Sequence, residues 1–462
     1  MLAAVPATII AALVSLVTGW PSPLEAPAEL LMQWTPVPLA NVLLDRAGDL
    51  ARPAALLGAL ALTMAVCGLA GALAKAFPRT SAGWLAGEAL AGGLIAFVLF
   101  RVLPPSSLPG DLLFLVAFLV ILSLLPMLPL AAPGRRAFLM RSGVILGGAA
   151  VLLTLFSIRP LLDALAVRRL FPYQRPRGLG IPGLADLVTP ADRFYIMDKV
   201  LQYPDLVPGG WRLVLDGAVR DPLDLDLEAL LGRRRNNRYL TMECVDNPVG
   251  GHLISNALWT GVSLAALLKE AGAEGDTLVF HAPDGYAESV PRAVAEAAGA
   301  MVAYGMNGES LPRAHGYPAR IVLPGSYGFK SVKWLTAIEV LHGPHGGSWR
   351  AQGWTEGARI HTMTRIDVAR REGERVLVAG VAFAGRRGVR DVQVRANAGP
   401  WRRATLGPYL SSECWVQWAV WLRGSGPVTI EARAIDGGGQ VQEERRRGAY
   451  PDGATGWPSI TV

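Results

Sequence analysis

Five apolar stretches of spanning length crowd the first third of this chain, at residues 2–20, 56–74, 84–102, 112–130 and 142–158. Roughly 20 apolar residues cross a bilayer, so the pattern predicts about five transmembrane helices over residues 1–160. Pro126 and Pro129 are expected to kink the end of the fourth, and Glu88 near the start of the third reads as an interfacial carboxylate. After residue 160 the pattern changes. Residues 161–190, rich in Pro, Gly and Arg, read as a juxtamembrane linker. Between 191 and 355 strand-like runs alternate with loops and short helices. The segment 211–219 alternates with period two, 238–244 is a strand ending in Cys244, 262–271 is a short amphipathic helix, and 277–281 and 320–323 are further strands. An α+β domain is expected from that mixture. From 356 to 462, runs at 375–382, 390–396, 414–422 and 428–435 are separated by Gly-rich turns and predict a β-sandwich of immunoglobulin type.

Charge sharpens this division. Residues 1–160 hold nine Arg/Lys and six Asp/Glu, while the remaining 302 residues of the 462 hold 66 charges, enough ordinary soluble sequence for two domains. The pI near 9.5 does not point to nucleic acid, because the arginines are dispersed and only five lysines occur. Lys75, Arg79, Arg135, Arg136 and Arg141 gather on two connections with no acid among them, which places those connections and the N-terminus in the cytoplasm. Arg159, Arg168, Arg169, Arg175 and Arg177, just beyond the fifth span, argue the other way. Arg135-Arg136-Ala137-Phe138-Leu139 before an apolar run resembles a twin-arginine export signal embedded in the chain and decides the orientation. The expectation is a multi-pass protein of the cell membrane with residues after 160 on the extracytoplasmic side.

Three cysteines give no disulfide framework, and without CxxC or CxxCH neither structural zinc nor covalently held haem is expected. No histidine precedes His252, so the spans have no bis-histidine haem site. Cys67 lies in an apolar run and Cys414 beside Trp415, both positions for packing. Cys244 differs. It ends a strand and opens the loop Val245-Asp246-Asn247-Pro248-Val249-Gly250-Gly251, where backbone can approach a ligand closely. Taken alone it suits a packing role, a nucleophile paired with His252 or His281, or a soft ligand for a thiophilic metal.

The surrounding motifs decide among these. Met306-Asn307-Gly308 runs through Leu311-Pro312, His315-Gly316, Pro318 and Arg320 to Pro324-Gly325, and Val332-Lys333-Trp334 follows. Upstream, Trp259-Thr260-Gly261-Val262-Ser263-Leu264 follows the cysteine loop. Over residues 190–462 these four ordered motifs strongly resemble the sulfite oxidase family of molybdopterin enzymes. The resemblance implies one molybdenum and one molybdopterin per chain, with Cys244 as the protein thiolate on the metal. It places His315, Arg320, Ser331 and Lys333 against the pterin and its phosphate, with Asp284, Tyr195 and Asp198 as further cofactor contacts. It also implies that the sandwich serves dimerisation and that Arg447 is a candidate for reaching the site.

The departures from the family pattern bear on substrate. Where sulfite-oxidising members carry two oxyanion-binding arginines this chain has Ile196 and Val249, and Trp354 takes the position of their active-site tyrosine. Trp354 is thus expected beside Cys244 in the catalytic set, and the loss of two cations favours a neutral substrate over sulfite. The implied function is a membrane-anchored, exported molybdenum oxidoreductase. It would perform two-electron oxygen-atom transfer on a small sulfur compound, either sulfoxide-type reduction or sulfur-compound oxidation. The electron carrier would be separate, such as a cytochrome or a membrane redox protein. The rivals are a catalytically inactive cofactor-binding or interaction module anchored in the membrane and a Cys–His hydrolase. Metal content separates them from the enzyme.

Overall fold

The computed structural model describes residues 167–197, 203–204, 206, 209–357, 359–424 and 426–462. The five expected spans, Arg135-Arg136 and Asp198 lie outside the described residues. Among the described residues no helix is long and apolar enough to cross a membrane. Val167–Met197 and Leu206–Val462 belong to one structural unit.

Ten strands build the first half of this unit. They are β1 (Arg212–Gly217), β2 (Leu223–Asp226), β3 (Asn236–Glu243), β4 (Ile254–Ser263), β5 (Thr277–His281), β6 (Ala287–Pro291), β7 (Met301–Met306), β8 (Glu309–Ser310), β9 (Arg320–Val322) and β10 (Ala337–Leu341). Three short helices accompany them: α1 (Leu227–Leu231), α2 (Leu264–Glu270) and α3 (Arg292–Ala298). One sheet has the order β2-β1-β10-β5-β6; the other runs β3-β4-β7-β8, with β9 paired to β7. The expected strands at 211–219, 238–244, 277–281 and 320–323 are all present with their ends adjusted by at most two residues. The helix expected over 262–271 starts later. Val262 is a buried β-branched residue still paired in β4, and Ser263 caps α2 by accepting a bond from the amide of Ala266 at 3.4 Å.

The second half has β11 (Met363–Glu372), β12 (Arg375–Phe383), β13 (Val389–Ala396), β14 (Arg402–Arg403), β15 (Thr405–Leu406), β16 (Val416–Arg423), β17 (Thr429–Asp436) and β18 (Ser459–Thr461). They form two four-stranded sheets, β11-β12-β16-β15 and β14-β13-β17-β18. One core joins them. Val376, Val378, Trp418 and Leu422 from the first sheet cluster with Val392, Val394, Ile430 and Ala432 from the second. Along β12, Val376, Val378 and Ala382 point into this core, and the alternating residues between them are buried on the opposite face.

Residues 167–190, expected as a linker, are extended and tied down along their length. The Asn256 side chain and the Trp415 indole both donate to Leu187 O, at 2.7 and 2.9 Å. The Gln417 amide donates to Ala185 O at 2.6 Å and accepts from Leu179 N at 2.8 Å. Leu187 and Val188 are buried at 2% and 0% exposure. The segment therefore straps both halves, its backbone polar groups bonded to buried side chains.

Candidate active site

The site begins with the hairpin of β3 and β4, whose connecting loop starts at Cys244. Cys244 N donates to Leu253 O at 2.9 Å, and Asn247 N donates back to Cys244 O at 3.1 Å. The Asn247 side chain closes the loop on both sides, donating to Glu243 Oε1 at 3.0 Å and accepting from Leu253 N at 3.0 Å. The thiol is thus held on a rigid strand end at 5% exposure. Burial pushes the Cys244 thiol up to about 12, so no internal partner makes it a thiolate. Coordination by a cationic metal would supply the missing stabilisation of S⁻. Glu243 beside it is buried too. Desolvation raises its carboxyl to about 7 against the Asn247 bond and the charge of Arg365, and Oε2 has no partner among the described residues.

Arg320 is the second anchor. At 4% exposure its guanidinium donates to Ser331 O at 2.7 Å, His315 O at 3.1 Å, Ile321 O at 3.3 Å and Met242 Sδ at 3.4 Å, and it lies 5.2 Å from the Trp259 ring. All of these partners are neutral. Burial lowers its pKa to about 10. A buried cation without a carboxylate is costly unless an anion joins it. A cofactor phosphate is such an anion, and a soft thiolate is the ligand that molybdenum takes beside a dithiolene. The residues present therefore fit a molybdenum–molybdopterin group.

The other sequence candidates fall around these anchors to different degrees. His315 is buried, its Nε2 donates to Ala191 O at 2.8 Å, and its ring meets Phe194 edge-on at 5.3 Å. Ser331 Oγ accepts from Leu323 N at 3.1 Å. Lys333 Nζ donates to Ala314 O at 3.2 Å and lies over Trp334. Gly316, with φ of +104°, lets this turn pass against Lys333 and Arg320, since a Cβ there would meet both at 3.1 Å. His315, Arg320, Ser331 and Lys333 thus converge in space. Tyr195 stacks on Phe194 at 5.4 Å, and its hydroxyl comes close enough to Gly328 that a Cβ there would lie 2.5 Å away, with Glu243 O at 3.3 Å. Burial, then the charge of Cys244, raises the Tyr195 phenol well above its ordinary value, so it is a neutral donor. Asp284 sits in the β5–β6 turn, where Oδ1 accepts from Tyr286 N at 3.1 Å.

Three further positions stand as follows. Trp354, 2% exposed, packs edge-on against Trp349 and Tyr450, each at 5.3 Å, with an indole N–H that has no partner among the described residues. Ile196 is exposed at 41%. Arg447 is exposed and pairs with Glu443 of its own segment at 2.9 Å.

Residues unremarked in the sequence complete the surroundings. Lys330 and Glu288 form an ion pair at 2.8 Å with side chains 5% and 0% exposed. The other Glu288 oxygen accepts from Trp349 N at 2.9 Å. Tyr286 accepts from the Trp349 side chain and donates to Phe329 O at 2.8 Å. Burial, and to a smaller degree nearby negative charges, raises both the Tyr286 and the Tyr327 phenols. A buried Glu and Lys 42 residues apart carry no local signal; the motif Lys330-Ser331-Val332-Lys333 was the one available hint.

Comparison with known proteins agrees with this chemistry. The family described as "Oxidoreductase molybdopterin binding domain" matches residues 200–349. Sulfite oxidase of Gallus gallus is 33% identical over 191 residues, covering 35% of this chain and 41% of the relative. The oxidoreductase YuiH of Bacillus subtilis (strain 168) is 32% identical over 146 residues, 31% of this chain and 72% of the relative. In fold, the structure of the sulfane dehydrogenase SoxCD from Paracoccus pantotrophus superposes with a TM-score of 0.53 at 22% identity, covering 60% of this chain and 81% of that one. The chain spans about half the length of the curated sulfite oxidases it matches. With the molybdopterin binding domain matched over residues 200–349 and a 32% identical relative matched over 72% of its length, this chain belongs to the sulfite oxidase family of molybdopterin-dependent oxidoreductases.

Proposed function

We propose that the chain is a membrane-anchored, exported oxidoreductase that moves an oxygen atom on an uncharged sulfur centre at the thioether/sulfoxide level, with a separate one-electron carrier. The cofactor supplies two-electron redox chemistry and an exchangeable oxygen. Cys244 holds the metal. Arg320, with Ser331, Lys333 and His315 around it, fixes the pterin and its phosphate, while Asp284 and Tyr195 make further contacts. Neutral phenols at Tyr195 and Tyr327 offer hydrogen bonds to an oxygen without attracting an anion.

The observation that carries the choice of substrate is the commitment of the cations around Cys244. Arg320 is taken by the cofactor phosphate, Arg365 is paired with Asp367 at 2.5 Å, and Lys330 is paired with Glu288. By the family resemblance, Ile196 and Val249 take positions where sulfite-oxidising members carry arginine. Each forgone charged hydrogen bond is worth roughly 1.5–3 kcal/mol, so two amount to about two to four orders of magnitude in anion affinity. Steady-state assays of the holoenzyme should give a kcat/KM at least about 100-fold higher for a dialkyl sulfoxide with a reduced dye than for sulfite with an oxidised one. A micromolar KM for sulfite with fast turnover overturns the reading.

The membrane anchor, the extracytoplasmic site and an immunoglobulin-like, dimer-forming C-terminal sandwich belong to the same proposal. The apolar stretches and Arg135-Arg136 support the first two, and the two facing four-stranded sheets support the third. A periplasmic-active reporter fused after Val462 should be active outside the cytoplasm and lose activity when Arg135 and Arg136 are both changed to Lys. Protection of residues 191–462 from external protease, with cleavage only from the cytoplasmic face, contradicts it.

A further inference from the structure

A file of aromatic side chains leads from the cysteine loop to the surface. Its inner end is Tyr286, which donates to Phe329 O at 2.8 Å and accepts from the Trp349 indole. Phe329 follows Gly328, and a Cβ on Gly328 would lie 3.3 Å from Glu243 O, the carbonyl joined to Cys244. From Trp349 the rings continue edge-on, to Trp354 at 5.3 Å and from Trp354 to Tyr450 at 5.3 Å. Phe329 also touches Trp349, 5.9 Å between centroids. Tyr450 is 51% exposed although it is a large aromatic residue. The file is held from outside the π system. The buried Glu288 carboxylate, fixed by Lys330, accepts from Trp349 N, and Thr355 N donates to Pro451 O at 3.0 Å beside Tyr450.

Tyr450 stands on a loop closed by paired backbone bonds between Arg447 and Thr455, at 2.9 and 3.4 Å. Arg445 and Arg446 lie at the base of that loop and are exposed. Of the neighbouring acids, Glu443 pairs with Arg447, and Glu444 acts on Arg433. Among the described residues, two arginines beside an exposed phenol thus remain free of ion pairs.

We propose that the Tyr450 loop is the docking face for the electron carrier, a one-electron redox protein with an acidic contact surface, and that Tyr286, Trp349, Trp354 and Tyr450 form the bridge to it. This rests on the proposed reading of a separate carrier. The rings are a packed medium through which electrons tunnel and are not themselves oxidised. In the oxidising direction one sulfur substrate and one water give the oxygenated product, two protons and two electrons; the electrons leave singly and reduce two molecules of carrier. Sulfoxide reduction is the reverse. Arg445 and Arg446 steer the acidic carrier, and such steering falls with ionic strength.

The test uses full-length holoenzyme reduced with dithionite, freed of excess, and mixed with two small one-electron oxidants of opposite charge, ferricyanide and hexaammineruthenium(III). Appearance and decay of the Mo(V) electron paramagnetic resonance signal are followed by freeze-quench. Arg445→Glu with Arg446→Glu should slow reoxidation by ferricyanide about tenfold at low salt and speed it with the ruthenium complex, both effects fading at high salt. Tyr450→Leu should slow both oxidants alike, with reduction of the metal by substrate unchanged. Unaltered Mo(V) kinetics in both variants overturn the route. A wild-type protein that gives no Mo(V) signal with any reductant would instead refute the molybdenum reading on which the route depends.

Discussion

Cys244→Ser holoprotein is expected to keep most of its pterin and turn over at less than about one-thousandth of the wild-type rate, equivalent to about 4 kcal/mol of barrier. The substitution is nearly isosteric, and the loop is held by Asn247, Leu253 and Glu243, so the hairpin should remain folded. What is lost is the soft, ionisable ligand. A serine hydroxyl is a hard and far less acidic donor, and it does not take the place of thiolate on a thiophilic metal. Pterin retention is expected because the contacts proposed for it lie elsewhere, at Arg320, Ser331 and Lys333. Pterin fluorescence after acid release and turnover on a sulfoxide check the two halves separately. Full activity in metal-replete Cys244→Ser protein contradicts the assignment.

Arg320→Met should show the opposite pattern, with cofactor lost and the fold largely preserved. Methionine fills much of the same volume beside Trp259 and removes a charge that is buried among neutral groups. The stability cost comes from His315 O and Ser331 O losing a donor, roughly 1–3 kcal/mol. The cofactor loses its buried countercharge. A charge-assisted contact worth about 3 kcal/mol corresponds to retention on the order of 100-fold weaker. Purified Arg320→Met protein is therefore expected to carry little pterin and to unfold within a few degrees of wild-type apoprotein by calorimetry. Full pterin occupancy in that variant would remove Arg320 from the phosphate site.

The parts of this site that were legible in the sequence share one property: their chemistry is carried by local patterns. Cys244 closes a strand and opens a Gly/Pro/Asn loop, and the stretch from Met306 to Trp334 brings His315, Arg320, Ser331 and Lys333 into one turn-rich segment whose ends pack together. Features made by distant residues were not legible. The Lys330–Glu288 pair joins β6 to a turn 42 residues away, and nothing near either residue marks it as buried. The strap at 167–190 has the Pro, Gly and Arg content of a linker, and its order depends on Asn256, Trp415 and Gln417. Strand β11 was hidden by its charges. Arg365 and Asp367 neutralise each other inside, with 5% and 4% side-chain exposure, so a period-two pattern based on apolar residues does not register them. The position of Trp354 followed from counting beyond Trp349, and its packing between Trp349 and Tyr450 joins residues about 100 positions apart that no local pattern links.

The central claim is that Cys244 and one molybdopterin together hold molybdenum. Metal analysis combined with molybdenum K-edge X-ray absorption of the purified full-length protein tests it most directly. The account predicts about one molybdenum per chain with three sulfur neighbours, two from the dithiolene and one from Cys244, falling to two in Cys244→Ser. Wild-type protein from molybdate-replete cells that contains no molybdenum, or an unchanged sulfur count in the variant, would contradict it.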